Sequence, residues 1–404
     1  MGFDLQSPTM HRDPYPAYAN MRQQSHVPLV DHAFTGANLP FIARYADALV
    51  VMKDPRFVSD QRKLPTGADW TKKWYIPSVI RSLTNSMVLL DEPDHTRLRG
   101  LVHRVFTPAM IQAMTTTMEQ LTHRLLDEAA RKPRVDLVED LALALPLTVI
   151  GDMIGLPQAD RANFRRWVKH SVSSASPKKP VDALGKVINA FRLEGLLRKL
   201  VTERKRNPQD DLVSRLAQAE EAGDRLSEDE LMSMLFLILF AGHETTVNLI
   251  SSGTLTLLQH PDQLALLKAN PALMDSAIEE LLRYTNPVQT PGPRYALEEA
   301  ELSVGRIPQY SAVIVGLASA NRDPDAFPNP DVLDITRNPN RHIAFGFGIH
   351  YCLGAPLARL ETKVALTALL ERFPNLQLAI APDQIHYQGL PSFYGPVSLP
   401  IRLQ

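Results

Sequence analysis

Cysteine is almost missing from this sequence: Cys352 stands alone among 404 residues. One cysteine excludes an intramolecular disulfide and any zinc or iron–sulfur site built from clustered thiolates. Charge of one sign is missing too, with 43 Lys and Arg against 44 Asp and Glu. That balance speaks against a nucleic-acid binder held by bulk positive charge. The most apolar run, Leu235 to Ala241, falls far short of the ~20 residues that cross a bilayer. The opening stretch "MGFDLQSPTMHRDPYPAYANMRQQ" has no apolar core of the signal-peptide kind. A soluble, cytoplasmic protein is the expectation. No repeat, low-complexity tract or flexible linker divides the chain, so a single domain over residues 1–404 is expected.

Proline, by contrast, is plentiful, and the 32 prolines punctuate many elements. Helical pattern dominates from about Thr107 to Tyr284. "LSEDELMSMLFLILFAGHETTVNLISSGTLTLLQHP" reads as one very long helix, with Ser227 and Glu230 at capping-box spacing and Pro261 as the stop. Its middle is apolar on nearly every face, so it should be buried. "NPALMDSAIEELLRYTNP" reads as a second helix, capped by Asn270 and ended at Asn286-Pro287. Strand-like pieces are short and lie toward the ends: "FIARY", "SAVIVGLAS", "LQLAI" and "SLPIRL". A mainly α fold with small peripheral sheets is predicted.

The lone cysteine lies in "FGFGIHYCLGAPLARLE", residues 345–361. Gly346, Gly348 and Gly354 allow tight turns and a close approach to a flat ligand. A helix should begin near Pro356 and stop at Pro374. A thiolate before a helix N-terminus is stabilised by backbone N–H donors and the helix dipole. Three readings are open on these residues alone: a buried small hydrophobe, a nucleophile with His350 as its base, or an axial metal ligand.

"FGFGIHYCLG" resembles the haem-binding loop of the cytochromes P450, Phe-x-x-Gly-x-(Arg/His)-x-Cys-x-Gly, with Phe345, Gly348, His350, Cys352 and Gly354 at the fixed positions. Other segments resemble the same family in the same order, over nearly the whole chain. "AGHETT" at the centre of the long helix is similar to the oxygen-binding groove. The resemblance gives Ala241 and Gly242 a close-approach role and Glu244 and Thr245 a proton relay. "EELLR" is similar to the buried Glu-x-x-Arg motif, implying a structural network of Glu280, Arg283 and Arg337. "DEPDHTRLRG" and "PGPRYA" supply His95, Arg99 and Arg294, which the resemblance assigns, with His350, to the haem propionates. Carboxylate–guanidinium pairing is the chemistry such a role requires.

The resemblance implies a cytochrome P450 fold, with a long central helix over the haem, of the bacterial type acting on polyketides, macrolides, terpenoids, steroids or fatty acids. It implies haem b with Cys352 as axial ligand to the iron, O2 as co-substrate, and hydroxylation of a hydrophobic small molecule. Epoxidation, oxidative coupling or rearrangement is the alternative outcome. A non-catalytic haem protein is a further one, against which the Glu244–Thr245 pair counts. No flavin or nicotinamide domain is visible, so electrons are expected from a ferredoxin or flavodoxin with its NAD(P)H reductase. Arg97, His103 and Arg104 are candidates for the docking face. Phe240, Ala241, Val288, Gln289, Thr290, Phe393 and Tyr394 are candidates for the substrate pocket, under a lid between Leu64 and Leu89 that holds Trp70 and Trp74. A monomer is the default expectation.

Overall fold

Ser227 begins the longest element of the molecule with a complete capping box: its hydroxyl accepts from the Glu230 N–H, and Glu230 accepts from the Ser227 N–H at 2.8 Å. The computed structural model describes residues 3–31, 38–65, 67, 81–82, 85–172, 180–221, 224–388 and 392–403. The helices that frame the site are α1 (Asp94–His103), α2 (Thr115–Ala130), α3 (Ala144–Met153), α4 (Arg161–Val172), α5 (Pro180–Arg206), α6 (Glu228–Gln259), α7 (Met274–Thr285) and α8 (Ala355–Arg372). The 32-residue α6 runs through the interior and packs against α3, α7 and α8.

By length and composition α6 is apolar enough to cross a membrane, further than the short run Leu235–Ala241 suggests. Two-thirds of its most apolar window, 67 %, is buried inside the protein, so the apolar surface is spent on the core. The helix expected from Asn270 differs in its first turn. Pro271–Leu273 form a 3-10 turn, and the α-helix proper starts at Met274. Asn286 ends it in the left-handed conformation, φ 43°.

The β-structure is peripheral and brief. One sheet orders its strands as Leu29–Asp31, Asn38–Ile42, Ala312–Val315, Arg294–Ala296 and Phe57–Val58, with only the second and third parallel. A second joins Gln377–Leu378, Pro400–Arg402 and Val135–Asp136. "FIARY" contributes only Phe41 and Ile42, because Arg44 already caps the next helix, Tyr45–Lys53. The first sheet sets Arg294 at the start of an inner strand.

Candidate active site

The cysteine loop is closed on itself before α8 begins. The Cys352 N–H donates to the Phe345 carbonyl at 2.9 Å, and Gly354 is the residue before the helix. Gly346 and Gly348 both have φ of +74°, a conformation that side chains rarely adopt. At Gly348 space is decisive as well: a Cβ would come within 2.6 Å of the Met52 carbonyl oxygen. That glycine's close approach is to the Tyr45–Lys53 helix. A Cβ on Gly354 would meet only the Cys352 sulfur, at 3.9 Å.

The Cys352 side chain is accessible yet set deep in the fold. Burial pushes its thiol up, while the N–H groups of Gly354 and Ala355 and the charges of Arg99 and Arg359 pull it toward the thiolate. Phe345 lies beneath the Arg359 guanidinium, 4.5 Å from ring to charge, and Arg359 is held in turn by Glu279.

Four cationic or ionisable groups gather beside this loop. The His95 and His350 rings stand 4.4 Å apart, and Arg99 donates to the Tyr351 carbonyl at 2.8 Å. Burial pushes His95 down to about 4, helped by the charges of His350, Arg99 and Arg294. Arg294 is buried, and burial lowers its pKa; the charge of Asp91 is the attraction that opposes this. Among the described residues no carboxylate pairs with Arg294 or Arg99. Asp91, which the sequence motifs did not single out, is buried and accepts from the N–H groups of Ser59 and Asp60. Burial works against its ionisation, but His350 and those N–H donors hold it down to about 2. Its oxygen is 3.7 Å from His350 Nε2.

This donor set fits an anionic haem. A buried guanidinium with no hydrogen-bonded carboxylate, Arg294, and a half-buried one, Arg99, suit propionates. Among the described residues no cluster of His, Cys, Asp or Glu could hold a bare metal ion, so an iron at Cys352 must bring most of its ligands with it.

On α6, Leu237, Ile238, Ala241, Glu244 and Thr245 share one helix face, and all five are less than fully buried, as are Phe240 and Gly242 beside them. Ala241 is exposed, and Thr245 donates to its carbonyl at 2.9 Å. Gly242 points elsewhere: a Cβ there would press to 3.2 Å from Ile150 of α3. Its small size therefore serves helix packing. Phe240 is half-buried, 6.0 Å from the Phe236 ring.

Glu280, Arg283 and Arg337 come together in a saturated network. Arg283 donates to both Glu280 oxygens, at 2.8 and 2.7 Å, and to the carbonyls of Asn321, Pro330 and Val332. Glu280 also accepts from Arg337, Asn340 and the Asp334 N–H.

The segments that carry the pocket candidates 288–290 and 393–394 are stitched to α6. Asn248 and Gln388 exchange side-chain hydrogen bonds at 3.2 and 3.1 Å, and Gly395 lies so close to Asn248 that any side chain would collide. Val288 and Phe393 form an isolated bridge, and the Tyr394 N–H donates to the Pro287 carbonyl. Gln289 and Thr290 are buried, and the Gln289 amide donates to the Asn286 carbonyl. Tyr394 stacks on Tyr387 at 4.8 Å and gives its hydroxyl to the Arg12 carbonyl. Val288 and Phe393 are left as the half-buried pair. Trp70 and Trp74 lie outside the described residues. On the surface, Arg97 is tied to Asp224 and Glu230, whereas His103 and Arg104 are exposed.

The sequence model of the cytochrome P450 family matches residues 49–379. The chain belongs to that family. It is 40 % identical to polyketide biosynthesis cytochrome P450 PksS of Bacillus subtilis, over 97 % of this chain and 96 % of the relative. It is 39 % identical to 6-deoxyerythronolide B hydroxylase of Saccharopolyspora erythraea, over 99 % and 98 %. The solved structure of PksS superposes with a TM-score of 0.90, covering 99 % of each chain. That of P450BioI, in complex with an acyl carrier protein ligated to hexadec-9Z-enoic acid, superposes with a TM-score of 0.87 at 34 % identity, covering 99 % of this chain and 100 % of that one. This cytochrome P450 is a monooxygenase whose relatives are bacterial enzymes of the polyketide and macrolide group. The family implies a haem with a cysteine thiolate ligand.

Motif reading missed Asp91, Leu237, Ile238 and the Asn248–Gln388 tie. Spacing along α6 could have found Leu237 and Ile238, which stand on the Ala241 face; the others depend on contacts between distant segments.

Proposed function

We propose that this P450 hydroxylates a hydrophobic small molecule, with an acyl or polyketide chain as the favoured class, using electrons from a separate ferredoxin or flavodoxin. The observation that carries the reading is the gathering of Arg99 and Arg294, neither paired with a carboxylate among the described residues, with His95 and His350 beside an accessible cysteine at a helix start. These four residues would hold the propionates of haem b, and Cys352 would be its axial ligand. Bound there, the haem supplies O2 activation and C–H oxidation. Glu244 and Thr245 share the Ala241 face and are suited to moving protons toward it. Ala241 leaves that face low, while Val288 and Phe393 offer apolar contact to the ligand. A carrier-tethered chain is one form the substrate would take, given the relative solved with acyl carrier protein.

The test is the carbon monoxide difference spectrum of the reduced protein. The thiolate-type signature is expected in the natural protein and absent in Cys352→His. A correctly folded protein that binds no haem sinks the reading.

A further inference from the structure

Helix α5 presents two apolar faces. Leu193, Leu197, Leu200 and Val201 are buried toward the core. Leu184, Val187, Ile188 and Phe191, at the i, i+3, i+4, i+7 positions of one face, are instead 59, 50, 42 and 44 % exposed. The stripe covers two turns, ~11 Å, before Gly195 and Lys199 end it.

Its surroundings are strongly basic. Residues 161–206 hold thirteen Lys and Arg against three Asp and Glu, in a chain whose total charge is balanced. Some of these charges are paired, Arg161 with Asp152, Lys169 with Glu139 and Arg204 with Asp211. Arg165, Arg166, Arg192 and Lys199 are exposed and have no carboxylate partner among the described residues. Helices α4 and α5 pack side by side, which puts Arg165 and Arg166 on the neighbouring helix, while Arg192 follows Ile188 by one turn on α5 itself.

We propose that this face docks a small acidic acyl carrier protein, which delivers the substrate as a tethered chain; the proposal rests on the acyl or polyketide reading above. A second copy of this chain is disfavoured, because a two-fold contact would set like charges against each other. A lipid surface is disfavoured by the shortness of the stripe, since the second half of α5 turns its apolar residues into the core. An acidic partner with a small apolar contact satisfies both the charge and the stripe.

The experiment titrates the haem-loaded protein with palmitoyl-loaded acyl carrier protein from a bacterial fatty acid synthase, and separately with free palmitate. The doubly substituted Val187→Ser/Ile188→Ser and Arg165→Glu/Arg166→Glu proteins should each bind the loaded carrier about tenfold more weakly. Their response to free palmitate should be unchanged, and the charge-reversal effect should shrink as salt is raised. If both pairs bind the loaded carrier as the natural protein does, the docking face is overturned. Preferential binding to phosphatidylglycerol vesicles, lost in the same variants, overturns it in favour of a lipid surface. No spectral response to free palmitate in a protein with a normal carbon monoxide signature counts instead against the acyl-substrate reading.

Discussion

Arg283 has no exposed surface and sits between both oxygens of Glu280, with three backbone carbonyls completing its donors. Arg294 is scarcely more exposed, yet no carboxylate pairs with it among the described residues. Two guanidinium groups in similar burial thus carry their charge differently. The first is neutralised within the chain, which makes it part of the scaffold. The second has no hydrogen-bonded carboxylate and only the more distant charge of Asp91 opposite it, which costs stability unless an anion arrives. Burial alone would not separate the two. The identity of the neighbours does.

The largest expected effect comes from breaking the neutralised pair. Glu280→Gln leaves Arg283 and Arg337 facing a neutral partner in the interior, and about 3–5 kcal/mol of stability should be lost in urea unfolding. A loss below ~1 kcal/mol would mean that the network does not hold the fold. Arg294→Ala should do the reverse in the cofactor-free protein, leaving stability equal or raised, since a buried charge with no hydrogen-bonded counter-ion is removed. The haem-loaded variant should nevertheless release haem at least about tenfold faster in a transfer assay. Unchanged haem retention would detach Arg294 from the propionates.

A third case lies between these extremes. Glu361 of α8 is as buried as Glu280, but neither of its oxygens has a hydrogen-bond partner. Its polar neighbour Thr246 gives its hydroxyl to the Gly242 carbonyl. Burial raises the Glu361 carboxyl from 4.5 to about 8. Between those values the folded chain holds a proton that the unfolded chain has released. Stability should therefore fall as pH rises from 4.5 to about 8, by an amount on the order of a few kcal/mol, and level off above that window. Glu361→Gln should flatten that slope, as read from unfolding midpoints across the range; an unaltered slope would place the titration elsewhere. The smallest effect is expected at the surface. Arg97→Gln removes contacts to Asp224 and Glu230 and should cost no more than ~1 kcal/mol. Because those acids occupy Arg97, reduction by a ferredoxin should be less sensitive to this change than to His103→Glu, measured by stopped flow.

The sequence was readable where chemistry is local. Ser227 and Glu230 mark the start of α6 three residues apart in the text, and the cap forms as its spacing predicts. The glycines around Cys352 announce tight turns, and Gly346 and Gly348 adopt positive φ. Partners across long separations were not readable from patterns alone. Asp91 meets Ser59, Asp60 and His350 only after the chain has folded. Gly242 looked like a place for a ligand to approach, but the space it leaves belongs to Ile150, more than ninety residues earlier. The resemblance bridged part of this gap, since Arg337 lies 57 residues from Glu280 and would not have been joined to it by spacing. Arg97 shows the opposite limit. A basic helix face gives no sign of which charges are already taken.

The mutual amide pair of Asn248 and Gln388, with Gly395 against it, has a mechanical consequence. It bolts the C-terminal turn to the central rod, and through that turn the strip carrying Val288. A change at position 248, which need never meet a ligand, would shift Phe393 and Val288 as one plate. The spacing of those two apolar side chains from the central rod is thus set by an amide pair that neither of them belongs to.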